Sequence, residues 1–584
     1  MAILSLVVLG ARLQVAFIPY VLIAWIIAFV LLVTFNKINP RTYPIYLFGI
    51  SLGLLWQTSL LGNGVVGADI QMEYYVSSVA LNQGVAATNS YQYGASAVIT
   101  MLAPFISRVL GIELIWIFKI ILPIFLAIVP VIMYSVYKKL IDNKKALWAS
   151  LFFIIVPVMS LELIGIAKAM VAELFFALLV LVIVSDLKQR YKTILLPSLI
   201  LLTMLCHYSV GLVLWLFIVA CFGMATFAKA IKKDWFVSKV SLATLAITLV
   251  VTTGIGYVYL SNVDNGSIIK TVKGIVASCT TNINDGLITM DNTPQATNTP
   301  STDTTNDIYI ANQSPLVRTG LGLDFLSSSI GGKAFRIVQY ATQGLIVLGI
   351  IQLWRKRKEY KFTLEFVGLM VGGFVIIGAC IVIPYFSNIL NMTRFYQLSL
   401  FALSPLFVLG CELITKRRWF ITTIMLVYFL FTSGLIYEIT QSNIIEKVDM
   451  PYSYALSYER TGIVGVYNQD DINCAVWLAY ESNQELPIVN DMNTLRLMQN
   501  YLDPLPRTFY IEKYYKPYLL LENNISGEYY IFLDTWNIEH NKLIYNYDIS
   551  YPAGLRRVMD MPSWIYDLPV VYQSGDAVVY KAVK

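Results

Sequence analysis

Two carboxylates, Asp69 and Glu73, stand one helical turn apart in the stretch VVGADIQMEYYVSSVALNQG (residues 65–84), followed at once by Tyr74 and Tyr75. A carboxylate at the edge of an apolar region can take a proton from a hydroxyl, orient that hydroxyl, or share a cation with a second acid. The i, i+4 spacing puts both acids on one helix face. The plainer expectation is structural: Asp69 caps a helix starting at Ile70 with Gly67 supplying the turn, and Glu73 favours the positive end of that helix. The two readings are compatible, because a capping side chain is also a positioned one. Further charged groups lie in short polar interruptions between apolar runs: Glu162 and Lys168 in SLELIGIAK, Arg394 in NMTRFYQ, and His207 with Tyr208 in HYS. Arginine grips a phosphate by two parallel hydrogen bonds and lysine acts as a point charge, although basic residues at helix ends commonly snorkel to headgroups. His207, in a tight turn between two apolar helices, is costly without a partner, so a site role and a structural hydrogen bond weigh about equally.

What positions these groups follows from composition. Of 584 residues 57% are apolar and 13% charged, with a mean hydropathy of +0.65, well outside the range of soluble domains. Apolar stretches recur at the length of a membrane-crossing helix, and no alternating pattern suggests a barrel. Twelve spans are expected, near 15–35, 43–62, 113–136, 146–161, 169–185, 194–206, 209–228, 239–261, 335–354, 365–385, 395–413 and 419–437. Arg12 follows the first apolar stretch instead of preceding it, so a cleaved signal is not expected. Every second connection is basic: NKINPRT, YKKLIDNKK, DLKQRYK, KAIKKDW, WRKRKEYK and TKRRW. The positive-inside rule puts these in the cytoplasm and the termini and remaining loops outside. Six scattered cysteines and two histidines give neither a disulfide framework nor zinc-ligand spacing.

The expected organisation is a transmembrane domain, residues 1–438, and an extracytoplasmic α/β domain, residues 439–584. The first outward loop, 63–112, contains a second semi-apolar segment broken by Pro104 and Arg108 that reads as interfacial or re-entrant. The outward loop 262–332 is rich in Ser, Thr, Asn and Asp and buries little. In the last domain, CAVWLAYESN and TLRLMQNYL read as helices, and LPIVND, EYYIFLD and AVVYKAV as strands. Four sequons, at Asn265, Asn312, Asn391 and Asn524, fall on the outward side.

A span plan with an enlarged first outward loop and an acid just past its preceding helix resembles the GT-C superfamily of integral membrane glycosyltransferases. DIQMEYY at 69–75 and HYS at 207–209 are similar to a group of archaeal membrane proteins with a D-I-H-x-E-Y-Y motif, from which this chain departs at Gln71. The resemblance implies transfer of a sugar from a polyprenyl-phosphate (dolichol-type) donor to an extracytoplasmic lipid, glycan or protein of the cell envelope, with inversion. It puts the catalytic role on Asp69 and a second acid on Glu162, the only carboxylate of its loop, with Glu73 a weaker candidate on the Asp69 face. Arg394, Lys168 and His207 then answer the need for groups that hold the donor phosphate. Tyr74, Tyr75 and Tyr208 could stack on a sugar, though tyrosines at this depth commonly form the interfacial belt. Asp69, Glu73 and Glu162 would hold Mg²⁺ or Mn²⁺ if they converge; the resemblance covers both metal-dependent and metal-independent enzymes. Membrane lipids are expected partners and nucleic acid is not.

Two other classes fit twelve spans. A lipid-polymer flippase or secondary transporter predicts charged or broken helices at the midplane and related halves, and neither a repeat nor a buried ionic pair is evident. A passive anchor for the last domain needs neither so many spans nor an acidic, aromatic first loop. No nucleotide-binding glycine pattern occurs in a suitable context, which argues against ATP-driven transport.

Overall fold

Long apolar runs with few internal charges leave the backbone no hydrogen-bond partner but itself, and the chain forms helices along most of its length. The computed structural model describes residues 4, 6–8, 17–88, 91, 93–232, 235–262, 325, 329–383, 386, 390–442, 451–461, 465–502, 508–510, 527–546 and 556–583. Most of the polar loop 262–332, with Asn265 and Asn312, and the sequon at Asn524 lie outside the described residues. Among the described residues the bundle includes α1 Ile18–Thr34, α2 Tyr43–Ser59, α3 Asp69–Gln83, α4 Val98–Leu110, α5 Leu114–Leu140, α6 Asn143–Ile154, α7 Ala167–Val184, α8 Gln189–Cys206, α9 Tyr208–Ala230, α10 Leu242–Asn262, α11 Ile330–Arg355, α12 Leu364–Val382, α13 Met392–Ile414 and α14 Arg418–Thr432. Each expected span coincides with one of them, while α3 and α4 occupy the loop 63–112. Among the described residues, seven helices (α5, α7 and α9–α13) are long and apolar enough to cross a membrane. The count is eight if α6 and Val158–Gly165, bent by 51° at a short break, are one span. The chain is a multi-pass helical membrane protein.

The basic connections gather at one end of the bundle. Lys144 Nζ donates to Asn36 Oδ1 at 2.7 Å, Lys361 N–H donates to Leu140 O at 2.9 Å, Lys145 and Lys356 share Glu412 at 2.7 and 3.1 Å, and Lys239 meets Asp186 at 2.6 Å. Trp419 packs edge-on against Phe35, and Val237 bridges Thr363. Contacts among all six connections are possible only if the helices between them run in alternate directions, as the charge pattern requires. Of these seven helices α13 is the most enclosed, 83% of its apolar window being buried, against 28% for α10. Arg394 therefore begins an interior helix.

The first core continues through α15 (Leu435–Ile439) and α16 (Tyr454–Thr461), taking in Tyr437, Tyr452, Tyr454 and Ala455. Separate cores begin at Tyr467. Here α17 (Gln469–Tyr480), α18 (Met492–Met498) and α19 (Thr535–His540) accompany a five-stranded sheet of β1 (Ile488–Asn490), β2 (Thr508–Tyr510), β3 (Glu528–Leu533), β6 (Val570–Ser574) and β7 (Ala577–Val583). Its order is β2-β1-β3-β7-β6, and β4 (Lys542–Asn546) pairs with β5 (Arg556–Asp560) separately. β1 is parallel to β2 and β3, and β7 is antiparallel to both its neighbours. Strand alternation separates the two faces: Tyr530, Phe532, Ala577 and Val579 join Cys474 and Leu478 of α17, while Tyr529, Ile531, Leu533, Val578 and Tyr580 join Leu543 and Ile565.

Candidate functional site

The expected site residues lie at the end of the bundle opposite the basic connections, where three π-helical turns occur: Val98–Leu102, Ile117–Ile121 and Val158–Glu162. Each has a proline within two residues (Pro104, Pro123, Pro157), which interrupts the i→i−4 ladder, and such turns are frequent at functional sites. The loop 63–112 is fixed residue by residue around the start of α3. Gln71, fully buried, donates from Nε2 to Val65 O at 2.8 Å and Gly67 O at 3.0 Å. Gly67 has φ +127° and presses against Gly165, while Gly465 presses against Gly67; a Cβ on Gly67 would lie 2.4 Å from Gly165 Cα, and one on Gly465 2.5 Å from Gly67 O. Three segments of backbone thus meet where α3 begins, and only glycine permits that approach.

Asp69 is the first residue of α3, with Ala68 at the cap position and no side-chain capping bond. The capping role expected for Asp69 is therefore corrected. Its half-buried carboxylate makes no hydrogen bond or ion pair among the described residues. Glu73, on the next turn, is wholly buried. Ala167 N–H, an unsatisfied donor of the first turn of α7, bonds to Glu73 Oε2 at 2.6 Å, and Lys168 Nζ lies 3.1 Å from Oε1. Burial pushes the Glu73 carboxyl up and Lys168 opposes that rise. A buried ionic pair is present after all, at the helix ends.

This pair changes the expected roles. Lys168 neither snorkels nor stands free for a phosphate: it is buried, held by Glu73, with its ammonium 3.4 Å from the centre of the Tyr93 ring. Tyr93, which the sequence did not single out, senses Asp69, Glu73, Tyr208 and Arg394; burial first, then the two carboxylates, push its phenol above the ordinary range. Glu162 accepts from Thr393 Oγ1 at 2.7 Å. Glu173, also not singled out, accepts from Gln397 Nε2 at 2.8 Å. An acid inside the apolar run AMVAELFFALL was itself the signal. Arg394 lies within electrostatic reach of both Glu162 and Glu173. Its Nε is buried without a hydrogen-bond partner, and it makes no ion pair among the described residues. His207, buried where α8 passes into α9, leaves both ring nitrogens without partners. Burial, then Lys168 and Arg394, lower its pKa well below the usual imidazole range, which favours the neutral ring.

The aromatic candidates separate. Tyr208 packs edge-on against His207, Tyr75 against Tyr91, and Tyr74 against Phe118, in electrostatic reach of Tyr480 of the carboxy-terminal unit. No three acid, His or Cys side chains among the described residues are placed to hold a metal ion. Glu73 is committed to Lys168 and Ala167, so among the described residues Asp69, Glu73 and Glu162 do not converge on one cation site.

A protein family described as a predicted membrane protein (DUF2206) matches residues 326–580, less than half of the chain. No curated protein matches. Among solved structures, the chain is similar to the crystal structure of ArnT from Cupriavidus metallidurans bound to undecaprenyl phosphate, at 12% identity over 88% of this chain and 98% of that one, with a TM-score of 0.46.

Proposed function

We propose that this protein is a twelve-span membrane glycosyltransferase that moves a sugar from a polyprenyl-phosphate donor to an extracytoplasmic acceptor of the cell envelope, with Asp69 as base. The observation that carries the reading is a set of unsatisfied groups at one end of the bundle: a free carboxylate on Asp69, a half-buried Arg394 whose Nε is buried without a partner, and a buried His207 with neither ring nitrogen paired. Unpaired buried polar groups are expensive, and a ligand that supplies the missing partners offsets that cost. Arg394 is the cation for the donor phosphate, and neutral His207 can donate one N–H to a phosphate oxygen. Lys168 belongs to the frame, since Glu73 holds its charge.

The acceptor hydroxyl attacks the anomeric carbon and its proton passes to Asp69. The bond from that carbon to the phosphate oxygen breaks with its electron pair on the leaving polyprenyl phosphate, which Arg394 neutralises. Attack opposite the leaving group inverts the anomeric centre. An apolar groove of about 470 Å³ between α9 and α12, lined by Leu216, Val219, Met224, Val371 and Val375, supports a lipid-borne donor. It includes Phe386, which stacks on Phe395 beside Arg394 with ring centres 5.2 Å apart. The test is release of polyprenyl phosphate from radiolabelled polyprenyl-phosphate sugars by the purified protein in lipid nanodiscs containing envelope acceptor. Release and transfer dependent on Asp69 support the reading; equal release by Asp69→Asn protein sinks it.

A further inference from the structure

We infer that Lys119 is a positioning residue that ties the carboxy-terminal unit to the loop from which the Asp69 helix starts. Lys119 sits in the π turn of α5, 3% exposed. Its ammonium donates to three backbone carbonyls of one turn: Leu61 O and Gly62 O at 2.9 Å, and Gly64 O at 2.7 Å. No carboxylate among the described residues pairs with it or offsets the cost of burying its charge. A buried cation without an anion is retained only where its donors are needed, and here three carbonyls take the place of its hydration shell.

The lysine's own backbone is fixed as well. Pro123 has no N–H to give to the Lys119 carbonyl four residues earlier, and Ser59 Oγ donates to that carbonyl instead, at 2.8 Å. The far side of the clamped turn receives the carboxy-terminal unit. Asn63 N–H donates to Tyr467 O at 2.7 Å, and Asn63 Nδ2 to Gln469 Oε1 at 3.2 Å. From the same turn the chain passes through Val65 and Gly67, both held by Gln71, into Asp69. One ammonium therefore sets the turn on which a separate α/β unit and the proposed base both depend.

Hydrogen–deuterium exchange of the full chain in nanodiscs tests the tether without any assay of transfer. Lys119→Met should raise exchange at residues 61–67 and 465–469 by about tenfold or more while leaving β3 protected, and Lys119→Arg should restore much of the protection. Unchanged exchange at both segments in folded Lys119→Met protein overturns the inference. Gly62→Ala provides a second route, since its Cβ would lie 2.4 Å from Tyr467 O. It should release 465–469 with the three carbonyl acceptors still in place, and unchanged exchange there also overturns the tether. The activity arm rests on the proposed transfer: Lys119→Met should lower kcat with the donor KM within about twofold of wild type. Wild-type protein that shows the exchange pattern but no transfer would sink the proposed reaction and leave the tether standing.

Discussion

Two of the places where the protein gathers acids treat them in opposite ways. In the carboxy-terminal unit, Asp471 accepts from Thr535 N–H and Oγ1, both at 2.8 Å. Asp491 accepts from Asn537 Nδ2 at 2.7 Å and Ile544 N–H at 3.0 Å. Asp534 accepts from Asn537 N–H at 2.8 Å. Each also caps or closes a helix start, so the three carboxylates join α17, α18 and α19 to the ends of β1 and β3. At the membrane end, Glu73 is tied in the same manner, but Asp69, four residues away, is left free, and so are Arg394 and His207. Saturated acids hold elements together; unsaturated groups beside them are available for a ligand. The contrast also separates Asp69 from Glu73, which the sequence placed on one helix face with Glu73 the weaker candidate.

The largest expected effect falls on the free acid. Because Asp69 makes no capping bond, Asp69→Asn should leave thermal stability unchanged and lower transfer by roughly 10²–10⁴-fold, the range for loss of a general base. Donor affinity, measured by binding of labelled polyprenyl phosphate, should stay put. A comparable fall in Glu73→Gln protein of wild-type stability would erase the distinction between the two acids.

Breaking the saturated pair should act on folding. Lys168→Met leaves Glu73 buried without its cation, at a cost of about 3–5 kcal/mol. The double variant with Glu73→Gln should recover most of that loss in a thermal-unfolding scan, since it removes the orphaned charge. If Lys168→Met is stable and loses only donor affinity, Lys168 is a phosphate ligand and the pairing is incidental.

How much of this was legible in the sequence depends on the range of the interaction concerned. The helices, and the gathering of six basic connections at one end, were readable because hydropathy and charge act within one segment at a time. β1, β3, β7, α17 and α18 likewise lie where their strings placed them. Asp69, Glu162, His207 and Arg394 were singled out, because a charge interrupting an apolar run is visible locally. The partners were not: Glu73 meets Lys168 across 95 positions, and Thr393 reaches Glu162 across 231. Lys119 was not singled out, since its three acceptors are carbonyls, which every residue has. Gln71 looked like a missing histidine, yet its amide holds two carbonyls of the loop before Asp69.

Arg394→Ala should produce an intermediate effect on the ligand-facing side. Loss of charge-assisted hydrogen bonds to the donor phosphate, worth about 1.5–3 kcal/mol, corresponds to roughly 10–100-fold weaker donor binding. His207→Ala should weaken it less, since a neutral ring offers one donor. Unchanged binding of labelled polyprenyl phosphate by folded Arg394→Ala protein would leave the unpaired guanidinium without a function.

The smallest effect is expected in the saturated cluster and concerns pH. Burial first, then the neighbouring Asp471 and Asp491, raise the Asp534 carboxyl well above the ordinary carboxylate range. A carboxyl raised on folding contributes stability that is fully present below its unfolded pKa and is lost as pH rises through the folded value. The carboxy-terminal unit should therefore be more stable in mild acid than at neutral pH, with exchange at Glu528–Leu533 as the readout. Asp534→Asn should flatten that dependence and raise neutral-pH protection slightly, because the amide oxygen can still cap α19 through Asn537 N–H. The new amide N–H₂ also has an acceptor at hand, since Asn493 Oδ1 is buried without a partner. An unaltered pH profile in the Asp534→Asn protein would mean that Asp471 and Asp491 carry the dependence, and the pair of substitutions at those positions would then have to remove it.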